Sequence, residues 1–367
     1  MKKKIFLFFS ILLFAVNSNA NDIDTNYVQK FKNLFAVKGF FLSHGFLYTI
    51  TPQNNNLFTE KQLVDARTIY SANIPPVTGV ALNVKGIGLT YIFKFTNDYL
   101  DTTTRIKSGY KQFQVNMYGN RFGLEVNYQD YSRFYFHYKG DGILLKNYNA
   151  DIRAYQFGIS GIFINNGRKF SYNAAFNQNQ FQKKSVGSPL TVISLRYNEI
   201  SSNNLIPDSV KKYFQEYPDL HANRNFAFIL QQGYAYNLVK NNFYFANAIF
   251  VGVGLQNQIY DSPTIKKSKL GVPVTARGKS SLGYNGKVFF GGIYANADFS
   301  QSKIKSLQTE QFQYTYGVFI GLRAITLTKS KSQIKQEEKR KKDAIKNAKI
   351  KAKEDKKEAA KAKKAKK

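Results

Sequence analysis

The stretch GYKQFQVNMYGNRFGLEVNYQ, residues 109–129, contains two runs of alternating apolar and polar residues that meet at Gly119-Asn120. A period of two predicts β-strands, and Gly-Asn between two such runs predicts a tight hairpin. One face carries Phe113, Val115, Met117, Phe122, Leu124, Val126 and Tyr128, and the other carries Gln112, Gln114, Asn116, Gly123, Glu125 and Asn127. An ordinary sheet turns its apolar face to a protein core, whereas a membrane barrel turns that face to lipid.

The same alternation recurs along the chain in residues 155–163, 170–177, 249–256 and 312–323. In the second of these runs, Phe170, Tyr172 and Phe176 alternate with Ser171, Asn173 and Asn177. Across the runs, the second face is rich in Gln, Asn, Gly and Ser, which suits a wet or hydrogen-bonded interior. Runs of about ten residues are long for a sandwich but match a tilted membrane strand.

Tight-turn signals alternate with longer polar stretches, which is the asymmetry of outer-membrane barrels with short periplasmic turns and long extracellular loops. The turn signals are at residues 85–86, 119–120, 165–167, 240–242 and 285–286, and the polar stretches are at 51–76, 96–108, 137–150, 200–222, 261–271 and 302–308. The sequence therefore predicts an all-β fold, a transmembrane antiparallel up-and-down β-barrel of about 12 strands with both termini periplasmic.

This strand count depends on two assignments. Residues 80–93 are divided into two strands at Lys85-Gly86, because the apolar parity changes there, and Arg168 to Glu199 is interpreted as one long kinked strand. Reversing either assignment gives about 10 or 14 strands. The alternative fold is a soluble secreted β-sandwich or lipocalin-like barrel, which would need shorter strands and a bulkier apolar interior.

The first 20 residues indicate export, because three lysines precede an apolar run and the small residues Ser18 and Ala20. We expect a signal peptide at 1–20, an outer-membrane barrel at 21–328 and a basic tail at 329–367 that is disordered or a single helix. The chain has no cysteine, which excludes disulfides and thiolate metal sites.

The net charge of +31 is concentrated in part in the tail, which has 18 basic and 6 acidic residues from Lys329 onward. An exported basic protein should meet anionic lipid headgroups or cell wall, and nucleic acid is not an expected partner in that compartment. The expected partners are therefore outer-membrane lipid and, through the tail, anionic cell wall or lipid headgroups. A solvating tail without a partner is the alternative.

Around Phe170-Ser171, the run from Gln182 to Ser188 and Gly283-Tyr284-Asn285, the chain resembles a family of exported bacterial proteins known as domain of unknown function 4421. The resemblance covers about Asp24 to Ala324. It implies an outer-membrane barrel in a Gram-negative envelope, without an established activity, so no catalytic residue is transferred from it.

The polar residues around that motif have two interpretations. Gln178, Gln180, Gln182, Lys183, Lys184 and Ser185 could line a binding surface near the outer mouth. Alternatively they form a β-bulge with hydrogen bonds across the lumen, where Gly187 and Pro189 bend the strand. The second interpretation is the favoured one.

Catalytic and metal sites are not predicted. A Ser-His hydrolase needs a histidine beside the serine, and the three histidines are His44, His137 and His221. His137 is the candidate, with Ser132 as its serine, although their spacing gives no support. Asp141 and Asp151 suggest a calcium loop but do not have EF-hand spacing. The expected function is thus a non-enzymatic pore, binding protein or envelope-structural barrel of the outer membrane, without a cofactor. A barrel hydrolase acting on lipid or surface polymer is the alternative.

Overall fold

The computed structural model describes residues 23–325, except 32–33, 54–56, 85, 95–107, 141–142, 215, 264–265 and 305. The expected signal peptide and basic tail, as well as Asp141, lie outside these residues. The strands are β1 (Val28–Lys30), β2 (Leu34–Pro52), β3 (Thr68–Ala72), β4 (Val77–Val84), β5 (Ile87–Lys94), β6 (Gly109–Tyr118), β7 (Phe122–Gly140), β8 (Ile143–Ile164), β9 (Gln180–Gln182), β10 (Val186–Ser201), β11 (Ala222–Lys240), β12 (Phe243–Asp261), β13 (Lys266–Gly271), β14 (Val274–Asn285), β15 (Phe289–Lys303) and β16 (Leu307–Ile325). The helical elements are α1 (Glu60–Asp65), a π-helical turn (Asn173–Asn177) and a 3₁₀ helix (Asp208–Tyr213).

The wall of the molecule is a closed antiparallel barrel. Its twelve described strands follow the order β2, β4, β5, β6, β7, β8, β10, β11, β12, β14, β15 and β16. The ring closes where β16 pairs with β2 along its whole length, from Leu307 opposite Pro52 to Ile325 opposite Leu34. The chain is therefore an up-and-down β-barrel, as the alternation predicts.

Most short connections lie at one end, which is periplasmic in barrels of this kind. The division at Lys85-Gly86 is confirmed, because β4 and β5 pair as a hairpin and Gly86 has the positive φ of 93° that glycine tolerates. The hairpin at Gly119-Asn120 is confirmed too, since Tyr118 pairs with Gly123 across it.

The interpretation of Arg168 to Glu199 as one kinked strand is wrong. Only β10 belongs to the wall, and residues 165–185, which we call the plug, turn into the lumen at the periplasmic end. The alternating residues Phe170 and Tyr172 are both buried, because they pack against inward-facing wall residues and not against lipid. The strand count is unaffected, but one periplasmic connection is long.

The outer end is narrower than the middle of the barrel. β3 pairs with both β2 and β7 there, above the region in which β4, β5 and β6 separate those two strands. β13 extends the wall beside β12 at the same end. Two of the predicted long loops are short, because β7 and β8 pair as far as Gly140 and Ile143, and β15 pairs with β16 as far as Lys303.

The outward face of the wall is a band of exposed apolar side chains. Ile249 and Leu255 of β12 are 68% and 67% exposed, and Ile320 of β16 is 59% exposed. Gln156 and Ser160 of β8 point to the other side and are buried. The apolar face thus faces lipid, and the chain is an outer-membrane β-barrel. Within the described part of the chain, no helix is long and apolar enough to span a membrane.

The interior has an apolar layer at each end. At the periplasmic end, Phe170, Tyr172 and Ala175 of the plug pack on inward residues such as Leu190 and Phe250. At the outer end, residues 202–221, which we call the cap, place Leu205, Val210, Phe214 and Leu220 on the inner surface of the wall. Buried apolar area of this kind is the main stabilising contribution in a folded domain.

A charge at the centre of the outward band should destabilise the barrel. Val251→Arg is expected to lower the free energy of unfolding in lipid vesicles by about 2–4 kcal/mol, because arginine must leave water for hydrocarbon. The control is Asn257→Arg, on the same strand and face but nearer the outer rim, with an expected loss of at most about 1 kcal/mol. Denaturant titration in vesicles measures both, and equal small losses would contradict the lipid-facing assignment.

Candidate functional site

The lumen between plug and cap contains a cavity of about 250 Å³, which we call the chamber. Its lining is dominated by amide side chains from β6, β7, β8, β10, β15 and β16, among them Gln114, Asn127, Gln156, Asn198 and Gln311. Phe176 and Asn177 of the plug form the periplasmic side of the lining. The predicted polar interior is thus confined to the middle of the barrel, between the two apolar layers.

The plug is fastened to strands on all sides of the lumen. Gln178 donates to the hydroxyl of Tyr244 at 2.8 Å, and Asn179 donates to Oδ1 of Asn83 at 2.8 Å. Asn177 donates to Oδ1 of Asn116 at 3.3 Å. These contacts join the plug to β12, β4 and β6, so the plug spans the lumen.

Two cations hold the same plug turn. Lys38, only 6% exposed, donates to Oε1 of Gln178 at 2.7 Å and lies 4.8 Å from the ring centroid of Phe319. Arg323, 2% exposed, donates to the carbonyl oxygen of Gln178 and to Asn285. Oxygen atoms of the plug and aromatic rings therefore compensate the buried charges of Lys38 and Arg323. The same contacts hold Gln178 in a left-handed backbone conformation with φ of 58°, which costs free energy outside glycine and asparagine.

A network of five charged residues, which we call the brace, crosses the lumen. Arg196 of β10 forms a bidentate pair with Asp298 of β15, at 3.1 and 3.2 Å. Arg277 donates to the same carboxylate at 2.8 Å and lies 3.8 Å from Glu125. Lys279 donates to Glu125 at 2.8 Å and to the hydroxyl of the plug residue Tyr172 at 2.9 Å.

The brace adds charged groups to the predicted interior of Gln, Asn, Gly and Ser. All five residues occupy inward positions of wall strands and contact each other or the chamber. Their signal in the sequence was a charged residue on the face opposite the apolar one. The side-chain ion pairs that join β10 to β15, and β7 to β14, could not be derived from the sequence. These strands are far apart in the sequence and are not neighbours in the wall.

His44 forms part of the outer side of the chamber. Its Nε2 lies 2.9 Å from the hydroxyl of Tyr131 and its Nδ1 lies 2.6 Å from the hydroxyl of Thr315. Its ring stacks on Tyr110 at 4.3 Å. Through these contacts His44 connects β2 and β16 to β7 across the lumen.

The structure does not bring His137 to Ser132. The two lie on the same strand β7, five residues apart, which is on the order of 15 Å in an extended chain. Ser132 lies against Gly109 of β6, whereas His137 pairs with Ile69 of β3. His221 ends the cap, where its backbone N–H donates to the carbonyl of Asp261.

The cap is fastened by acidic residues. Asp151 accepts hydrogen bonds from the Ser202 hydroxyl at 3.1 Å and from the Asn203 N–H, which gives this residue of the suggested calcium loop a different role. Glu216 pairs with Lys267 at 3.2 Å and Lys269 at 2.9 Å. Partial burial alone would raise the pKa of Glu216, but the hydrogen bonds from Lys269 and Lys267 outweigh it and lower that pKa to about 2.

The polar run from Gln178 to Ser185 lies at the periplasmic end, so the suggested binding surface near the outer mouth is wrong in position. The favoured β-bulge is also wrong, because the residues belong to the plug and to β9, which pairs with β1. Their hydrogen bonds do cross the lumen. Among the residues with described positions, no group of three or more His, Asp or Glu side chains could hold a metal ion.

Comparison with known proteins identifies the family. The family model described as "Domain of unknown function (DUF4421)" matches residues 22–323, and the chain belongs to this family. Curated protein sequences give no match.

Solved structures that resemble the chain are barrels or parts of outer-membrane proteins. The outer membrane protease OmpT from Escherichia coli has 5% identity and a TM-score of 0.41, covering 82% of this chain and 100% of that one. The beta domain of the Bordetella autotransporter BrkA has 11% identity and a TM-score of 0.28, covering 76% and 98%. The barrel assignment rests on the chain's own strand pairing.

Removing the central carboxylate of the brace should destabilise the barrel. Asp298→Asn leaves the guanidinium groups of Arg196 and Arg277 buried without their main partner, and we expect a loss of about 3–5 kcal/mol in the free energy of unfolding. The control is Asp219→Asn in the exposed pair with Lys211, where the expected loss is at most about 1 kcal/mol. Urea unfolding in detergent micelles measures both, and similar losses for the two variants would contradict the structural importance of the brace.

Proposed function

We propose that this member of the family is a non-enzymatic outer-membrane barrel with a closed lumen, and that it serves as a binding or envelope-structural protein and not as an open pore. The plug carries this proposal. Its hydrogen bonds reach β4, β6 and β12, and Arg323 and Lys38 hold its turn from β16 and β2.

The cap supports the same proposal from the outer side. Tyr70 of β3 donates to the carbonyl oxygen of Leu205, and the apolar cap residues form one buried cluster with wall aromatics such as Phe46 and Tyr131. An ion crossing the lumen would have to displace both packed layers. Such layers are costly to open, because their apolar surface would become exposed to water.

A hydrolase centred on His137 has no geometric support in the described part of the chain, since Ser132 is about five strand residues away. A pore would need a continuous water path. A binding or structural role needs only the chamber and the closed ends, and is therefore the function that the geometry favours.

Bilayer recordings test the closed lumen. The purified full-length protein should give no steady conductance in a planar bilayer, because plug and cap each block the lumen. A variant in which short Gly-Asn turns replace both 168–185 and 203–220 should conduct, whereas either replacement alone should stay silent. Heat-modifiable gel migration of each variant checks that the barrel is folded. Steady conductance of the unaltered protein would contradict the proposal.

We further propose that the tail binds anionic cell wall or lipid headgroups on the periplasmic side. The last wall strand ends at Ile325, at the end of the barrel that carries the short turns, and the tail follows it in the sequence. Its 18 basic and 6 acidic residues give a screened electrostatic attraction to anionic polymers.

Deleting residues 329–367 should abolish co-sedimentation with purified cell wall at low salt. The full-length protein should co-sediment at low salt and be released at high salt, because salt screens exposed charges. Vesicles with and without anionic lipid distinguish headgroups from cell wall as the partner. If the truncated protein co-sediments as well as the full-length protein, the tail has no such role.

A further inference from the structure

Each of two buried amides in the chamber has one atom without a hydrogen-bond partner among the described residues. Gln129 and Gln156 are opposite each other on β7 and β8, are 5% and 7% exposed, and line the chamber. The Nε2 of Gln129 donates to the hydroxyl of Tyr110 at 3.3 Å, and its Oε1 has no partner. The Nε2 of Gln156 has no partner either. An unpaired buried amide group costs free energy, so these two atoms favour a polar partner inside the chamber, either water or a ligand group.

The chemistry of this pair favours a hydroxyl group. One hydroxyl can donate to Oε1 of Gln129 and accept from Nε2 of Gln156, because an alcohol oxygen does both at once. An anion could only accept and would leave the Gln129 oxygen unpaired. An ammonium group could only donate and would leave the Gln156 nitrogen unpaired.

The charges of the chamber also favour a neutral ligand. Arg196, Arg277 and Lys279 already pair with Asp298 and Glu125. Lys38, the fourth cation of the lining, already donates to Gln178 of the plug. A charged ligand would have to compete with these partners in a desolvated place, which is unfavourable. Neutral groups can bind to the remaining donor and acceptor positions of the brace and of the amides without doing so.

The size and shape of the chamber set a limit on the ligand. A cavity of roughly 150 Å³ takes one benzene ring, so the chamber of about 250 Å³ has room for one sugar ring with its hydroxyl groups. Phe40 and Tyr294 line the chamber as an edge-to-face pair with ring centroids 6.0 Å apart. A sugar ring combines an apolar C–H face, which packs on such rings, with a rim of hydroxyl groups for the amides.

We propose that the chamber binds a small neutral polyhydroxylated ligand of the size of a single-ring sugar, with one hydroxyl held between Gln129 and Gln156. This inference rests on the closed lumen proposed above. The two fail separately, because conductance reveals an open lumen whether or not a sugar binds.

The test uses the full-length protein refolded into detergent with the probe present, because the closed ends would slow entry into the folded barrel. The neutral probes are D-glucose and N-acetyl-D-glucosamine, and the charged probes are D-glucuronate and inorganic phosphate. Ligand binding to the folded state raises the thermal unfolding temperature, and the stabilisation grows with the logarithm of the ligand concentration above the dissociation constant. At least one neutral sugar should raise the unfolding temperature with this dependence on concentration, and the charged probes should not.

The double variant Gln129→Leu/Gln156→Leu should raise the dissociation constant obtained from these temperature shifts at least tenfold. The control Gln231→Leu removes another buried inward glutamine, which bonds Thr275 outside the chamber lining, and should keep the affinity within about twofold. If gel migration shows that the double variant is not folded, the two single variants are measured in its place. Equal affinity in the double variant, a larger shift with glucuronate or phosphate, or no shift with either neutral sugar would overturn the proposal.

Discussion

Closure of the strand ring between β16 and β2 is the constraint on which the rest of the structure depends. Hydrocarbon offers no partner to a free strand edge, so every backbone N–H and C=O in the wall must bond to a neighbouring strand. The nineteen-residue strands β2 and β16 meet this requirement by pairing from end to end. Once the ring is closed, each wall position has one of two environments, lipid or lumen, and the alternation of side chains follows.

The lumen is a layered interior and not a uniform wet channel. Apolar residues of the plug and the cap pack against inward wall residues at either end, and the amides and the brace occupy the middle. Each layer therefore requires a different kind of inward side chain on the wall strands that surround it. On β12, for example, the inward residues Ala248 and Phe250 contact the plug layer, whereas Tyr260 contacts the cap layer.

Much of the wall could be predicted from the sequence, because period-two alternation sustained over about ten residues is typical of a strand whose two faces meet different surroundings. The outward set on β12 and β16 and the hairpin at Gly86 follow from local pattern alone. The segment from Phe170 to Phe176 has the same alternation, yet it lies in the plug. Alternation shows that two faces differ, but it does not tell whether the apolar one meets lipid or the inside of the barrel.

The candidate site was less predictable for a related reason. Gln129 and Gln156 come together through the pairing of β7 and β8, and Arg196 meets Asp298 across the lumen from a strand more than a hundred residues away. The alternation within each strand could identify each of these four residues as inward-facing. Which inward residues meet depends on the tilt of the strands and on the ring closure, and neither is encoded in a local stretch.

The orientation of the two faces can be measured directly, because the chain has no cysteine and single cysteines can be introduced for spin labels. In lipid nanodiscs, labels at the outward positions Phe226, Phe228 and Leu230 of β11 should collide with lipid-soluble oxygen and be shielded from a water-soluble nickel complex. A label at Asn198, which lines the chamber, should not show this preference for oxygen. If the nickel complex reached the three outward positions as readily as oxygen does, the apolar face would not face lipid.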